Sequence, residues 1–144
     1  MKRIATAIWQ GTGKEGSGRL NSKSGVLKDT PYSAASRFKN EEGTAGTNPE
    51  ELIAAAHAGC FNMALSFQLA AADFTPNLLD TTAELSIENK DGQYEITEIV
   101  LILKAKVPNI SDEKFQEIAK SAKENCPVSK ALASIPIRLE AQLA

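Results

Sequence analysis

The stretch Asn48-Pro49-Glu50-Glu51-Leu52-Ile53-Ala54-Ala55-Ala56-His57-Ala58-Gly59-Cys60-Phe61-Asn62-Met63-Ala64-Leu65-Ser66-Phe67-Gln68-Leu69-Ala70-Ala71-Ala72 decides the fold. Asn48 is a good N-cap, Pro49 suits the first helical position, and Glu51 completes an Asn-x-x-Glu capping arrangement. Gly59 is the one glycine in the run, and the next proline is Pro76. The spacing predicts a helix of about 24 residues, roughly 36 Å long. Its side chains are apolar on most faces, the pattern of a central helix buried all round.

Strand signals lie on either side. On the N-terminal side, residues 2–10 and 17–27 read as strands joined by the glycine-rich turn 11–16, and Tyr32–Phe38 reads as a third. A loop spans Asn40–Thr47. On the C-terminal side, Leu79–Glu88 and Tyr94–Val107 flank Asp91-Gly92, a strong hairpin signal. Ser111 can cap a helix over 112–123, a short helix follows Pro127 to about Ala133, and Ile135–Leu143 alternates as a last strand. The order β-β-β-α-β-β-α-α-β is neither a repeat nor a βαβ series. It predicts a single α+β domain over residues 1–144, with antiparallel sheets packed around the long central helix.

The chain has 144 residues, 42% of them hydrophobic, with 16 basic and 18 acidic side chains. Such a chain can bury a core, and without a basic excess it offers no surface for phosphates, so nucleic acid is a poor partner. The short, interrupted apolar start is no signal peptide, and the one long apolar run carries His57, Asn62 and Gln68, which argues against a membrane span. The reading is a soluble cytoplasmic protein. In a reducing compartment its two cysteines point to a metal site or a reactive thiol pair rather than a standing disulfide.

Cys60 lies mid-helix on a face shared with Ile53, Ala56, Met63, Ala64 and Phe67, where a thiol is by default a small hydrophobe. Cys126 precedes Pro127 at the start of the last short helix, where unpaired N–H groups favour a thiolate. His57, the one histidine in the chain, stands a turn before Cys60 and is a candidate to line a pocket there. With the two cysteines it would make three zinc ligands, but no accompanying general-base or outer-shell pattern supports a metal.

The run Gly46–Ser66 resembles the central helix of the OsmC/Ohr family of bacterial hydroperoxide reductases. Cys126-Pro127-Val128-Ser129 resembles the family's second-cysteine motif. Ser24-Gly25-Val26-Leu27, Pro31-Tyr32 and Arg37-Phe38 fit its OsmC branch, the osmotically inducible protein C type. The match covers essentially the whole chain. It implies a cofactor-free thiol peroxidase in which Cys60 attacks the peroxide and Cys126 resolves the sulfenic acid as a disulfide. It also implies that Arg37 stabilises the developing charge, with Glu50 holding its guanidinium. Arg19, near the N-terminal glycine-rich turn, stands in reserve for Arg37. The implied partners are an organic hydroperoxide and a thiol reductant, a dithiol such as a lipoylated protein.

Two inferences stand apart from the resemblance. Glu50 and Cys60 are ten residues apart, about 15 Å along one helix, so serving one site requires different chains and an intertwined homodimer. The apolar neighbours Ile53, Met63 and Phe67, with His57, would bind an organic tail and favour it over hydrogen peroxide. The alternative is a binding protein for a lipid-like small molecule, its cysteines being packing residues.

Overall fold

The computed structural model describes residues 1–39 and 46–144. Most of the loop expected over 40–47 lies outside the described residues. The chain forms two compact units, Met1–Leu52 and Ile53–Ala144.

In the first unit, β1 (Ala5–Gln10), β2 (Ser17–Ser22) and β3 (Thr30–Ser33) form an antiparallel sheet in that order. Gly18 on β2 has to be glycine, because a Cβ there would strike the Ile8 carbonyl and the Tyr32 ring. Its absence lets the Tyr32 hydroxyl donate to the Ile8 carbonyl at 3.1 Å, with the Trp9 ring centroid 5.3 Å from that of Tyr32. β2 stops five residues short of the expected end. Ser22 turns the chain instead, its hydroxyl accepting from Leu27 N–H at 3.0 Å and its carbonyl from Gly25 N–H at 2.9 Å.

The strand expected over Tyr32–Phe38 is corrected: β3 ends at Ser33, and Ala34–Phe38 is a short helix, α1. The reason is a reciprocal cap. Ser33 Oγ accepts from Ser36 N–H at 3.0 Å, and Ser36 Oγ accepts from Ser33 N–H at 2.9 Å. The long helix α2 runs Pro49–Ala71. Asn48 Oδ1 accepts from Glu51 N–H at 2.8 Å, but the Glu51 carboxylate takes the Thr47 hydroxyl at 2.6 Å.

The second unit holds β4 (Leu78–Lys90), β5 (Gln93–Lys106), α3 (Asp112–Asn125), α4 (Pro127–Ala131) and β6 (Ile137–Leu143). Asp91 and Gly92, at φ of 54° and 86°, make the two-residue hairpin turn, and Asn89 Oδ1 accepts from Gly92 N–H at 2.9 Å. β4 and β5 pair antiparallel. One pairing departs from the expected all-antiparallel sheets, since β6 runs parallel to β5. The helical segment α3–α4 returns the chain to the end of the sheet where β5 began, as a crossover connection must.

The core of this unit gathers Phe61, Leu65 and Leu69 of α2, Ile99, Leu101, Leu103 and Ala105 of β5, Phe115, Ala119 and Ala122 of α3, and Cys126. α2 is long and apolar enough to cross a membrane by length and composition, yet its row His57, Phe61, Leu65, Leu69 is wholly buried. The expectation of a helix buried all round is corrected. Ala55, Ala56, Gly59, Met63 and Phe67 are exposed, with Phe67 at 72%. One chain covers one stripe of a helix that is apolar on most sides.

Leu65→Ala should destabilise the protein by about 2–5 kcal/mol in urea unfolding, since it empties a closed core. Lys114→Ala, which removes one surface ion pair with Glu117, should stay within about 1 kcal/mol.

Candidate active site

Pro127 is where the site begins. A residue before proline is pushed out of the helical region, and Cys126 accordingly adopts φ −60° and ψ 125° between two helices. It closes α3 by donating its N–H to the Ala122 carbonyl at 2.9 Å, and it opens α4 by accepting from Lys130 N–H at 3.0 Å. Its wholly buried side chain meets α2, where the Cys126 and Cys60 sulfurs are 3.0 Å apart. Both are free thiols, Cys60 half-buried. Residues 66 apart in the chain are thus within a small movement of bonding distance.

The two sulfurs have unlike surroundings. Burial pushes the Cys60 thiol up, and its contact with Cys126 pushes it further. Burial also acts to raise Cys126, but the Cys60 thiol, the N–H and hydroxyl of Ser129 and the N–H of Val128 outweigh it and bring Cys126 below its ordinary value. The Cys126 side chain closes no formal N-cap bond, so these groups act by facing the sulfur. The two thiols are thus shifted in opposite directions, Cys60 upward and Cys126 downward.

Arg37 lies near the end of α1 and Glu50 in the first turn of α2. Arg37 Nε donates to Glu50 Oε1 and Oε2 at 3.0 and 3.1 Å, and Nη2 donates to Oε1 at 2.5 Å. The Glu50 side chain is 11% exposed and that of Arg37 is 35%, so the carboxylate is committed while the guanidinium keeps an open edge. The Arg37 guanidinium also stands 4.7 Å from the centre of the Phe38 ring. Beside it, Trp9, Tyr32, Phe38 and Pro49 help to line a recess of about 120 Å³. Arg19 Nη1 donates to the Gly18 carbonyl at 3.4 Å and lines another recess with Tyr32 and Ser33.

The structure therefore brings together Cys60 with Cys126, in the second unit, and Arg37 with Glu50, in the first. Of the residues expected to bind substrate, Ile53 is half-buried, Met63 and Phe67 are exposed at 63% and 72%, and His57 is fully buried. His57 Nε2 lies 2.7 Å from Ser129 Oγ. Sequence reasoning assigned no role to Ser129. The signal was present, since Ser129 follows Cys126 by the same three positions that separate His57 from Cys60.

Among the described residues, no group of three His, Cys, Asp or Glu side chains could hold a metal. What two adjacent thiols of unequal acidity can do is exchange between dithiol and disulfide.

Known proteins resemble the chain in both sequence and fold. The family model described as OsmC-like protein matches residues 40–140. The chain is 47% identical over 137 residues to peroxiredoxin OsmC of Escherichia coli, covering 95% of this chain and 93% of that one. It is 31% identical over 125 residues to the organic hydroperoxide resistance protein OhrB of Bacillus subtilis, covering 85% and 88%. The crystal structure of that OhrB superposes with a TM-score of 0.69 at 29% identity, over 96% of this chain and 98% of the other. The mixed α+β fold, the matching family model and the relatives together define the class, and the chain belongs to the OsmC family.

The contact with Cys60 is the largest of the influences that lower Cys126. Cys126 should therefore ionise at higher pH in Cys60→Ala than in Cys60→Ser, whose hydroxyl keeps a donor at that place, followed by the ultraviolet absorbance of the thiolate. Equal titrations would show that the contact does not lower Cys126.

Proposed function

We propose that the protein is a thiol-dependent peroxidase that reduces organic hydroperoxides to alcohols, with Cys60 as the attacking and Cys126 as the resolving residue. The observation that carries this reading is the 3.0 Å approach of two thiols, one partly accessible and the other sealed. The names of its relatives, a peroxiredoxin and an organic hydroperoxide resistance protein, support the same chemistry.

Cys60 reacts as the thiolate while Cys126 holds its proton. The Cys60 sulfur attacks the distal peroxide oxygen, the O–O bond breaks, and the alkoxide takes the proton of Cys126 and leaves as an alcohol. Cys60 is now a sulfenic acid and Cys126 a thiolate. Attack by Cys126 forms the disulfide and expels hydroxide. An external dithiol, for which a lipoylated protein is the expected donor, returns both thiols by exchange.

Arg37, held by Glu50, supplies the positive charge that the breaking O–O bond needs. Ten residues of α2 separate Glu50 from Cys60, about 15 Å of axis, so the Arg37–Glu50 pair acts on the Cys60 of a second copy. The exposed small residues Ala55, Ala56 and Gly59 allow close approach of another helix, and an intertwined homodimer follows. Ile53, Met63 and Phe67 would then supply the apolar wall for the organic tail. Residues 1–144 work as one functional domain in the cytoplasm, where the thiols are kept reduced.

With a dithiol reductant, cumene hydroperoxide should be consumed faster than hydrogen peroxide, and Cys60→Ser should abolish both. Equal rates in wild type and Cys60→Ser would end the peroxidase reading. Arg37→Ala should lower kcat/KM about 10²–10³-fold, the usual cost of losing one preorganised charge-stabilising donor. The dimer is tested by mixing: Cys60→Ser and Arg37→Ala chains, each nearly inactive, should regain turnover when refolded together. An active monomer in sedimentation would exclude the shared site.

A further inference from the structure

Two side-chain contacts between α2 and the segment that opens α4 are matched. His57 and Cys60 stand one turn apart on α2, and Cys126 and Ser129 stand one turn apart on the facing segment. Cys126 meets Cys60 at 3.0 Å, and Ser129 Oγ meets His57 Nε2 at 2.7 Å. Such a pair of rungs fixes register, since sliding either segment by one residue breaks both. Sulfur is a weak donor and a weak acceptor, so the nitrogen–oxygen rung is the stronger of the two and sets where Cys126 sits.

The burial of His57 calls for a reason. It is 0% exposed, and its Nδ1 meets no partner among the described residues. An orphaned polar atom costs stability that an aliphatic side chain here would not. Burial keeps the imidazole neutral, lowering its pKa, so the ring carries one N–H. A buried unpaired N–H is the rarer and costlier orphan, which puts the hydrogen on Nε2, donating to Ser129 Oγ. The Ser129 hydroxyl hydrogen is then free to turn to the Cys126 sulfur that it faces. Among the described residues, Cys60 is the titratable group against Cys126, and His57 stands one hydroxyl away.

We propose that His57 and Ser129 are the positioning pair of the disulfide-forming step, holding Cys126 over Cys60 and, through the Ser129 hydroxyl, steadying its anion. The proposal rests on the peroxidase reading above. In that step the thiolate electron pair of Cys126 forms the S–S bond to the Cys60 sulfenic sulfur. The S–O bond breaks, and its electron pair leaves with the oxygen as hydroxide, which passes to solvent and is neutralised by the buffer. Ser129 and His57 exchange no atoms.

The test is a single turnover of the prereduced protein with cumene hydroperoxide, followed by rapid quench, with dimedone to trap sulfenic acid at Cys60. Ser129→Ala and His57→Leu should close the disulfide about tenfold or more slowly than wild type, as expected for loss of a buried hydrogen bond to a charged group, and should accumulate trapped sulfenic acid. Ser129→Thr and His57→Gln, which keep the hydroxyl and the donor, should restore closure. In a Cys60→Ser background, Ser129→Ala should raise the pH at which Cys126 ionises. Closure at the wild-type rate in Ser129→Ala and His57→Leu overturns the proposal, as does equal slowing in the alanine and threonine variants. A wild type that consumes no peroxide overturns the peroxidase reading instead, and the ionisation of Cys126 then decides the role of Ser129 by itself.

Discussion

The stripe His57, Phe61, Leu65 and Leu69 of α2, the last three clustered with β5 and α3 and the first bonded to Ser129 of α4, is the contact on which the second unit depends. Each of these side chains is fully buried, and together they fix both the rotation of the helix and its height on the sheet. Cys60 lies one position before Phe61, so the packing that buries the phenylalanine leaves the thiol at the edge of the core, half-exposed. A rotation that buried Cys60 fully would lift Phe61 and Leu65 out. The exposure of the thiol is thus bound to the stability of the fold, because the same residues determine both.

The partner sulfur is placed by covalent geometry. Pro127 denies Cys126 the helical conformation, interrupts what would otherwise be one helix from Asp112 to Ala131, and turns the side chain inward. The result is a sulfur wholly buried in the core beside α2. Arg37 and Glu50 are placed differently. Their three hydrogen bonds occupy most of the carboxylate and leave the guanidinium oriented with an open edge, the condition under which a fixed charge assists a reaction without reorganising.

Much of this was legible in the residues. Asn48-Pro49 marked the start of α2, Asp91-Gly92 the hairpin, and Ser111 the start of α3, because each is a local device whose residues do the work alone. α1 was missed because its cap, Ser33 with Ser36, sits in a run too short to show helical periodicity. The direction of β6 was missed because alternation reports which face is buried, while direction is set by the crossover before the strand. The open face of α2 was hidden for another reason: apolar side chains record that a surface needs covering and say nothing about which chain covers it. At the site, the cysteines were visible as residues, but Ser129 became meaningful only when its spacing was set beside that of His57 and Cys60.

The contact at Cys126 also has a topological side. A bond between the two sulfurs would tie residues 60 to 126 into a ring containing β4, β5 and α3, with the N-terminal unit and β6 left outside as tails. By loop-closure entropy such a ring removes about 4 kcal/mol worth of freedom from the unfolded chain. Oxidation would therefore act as a clasp on the hairpin and its covering helix while leaving β6, held by its parallel pairing to β5, free to fray. The oxidised and reduced chains would thus differ in their resistance to unfolding as well as in the bond between their sulfurs.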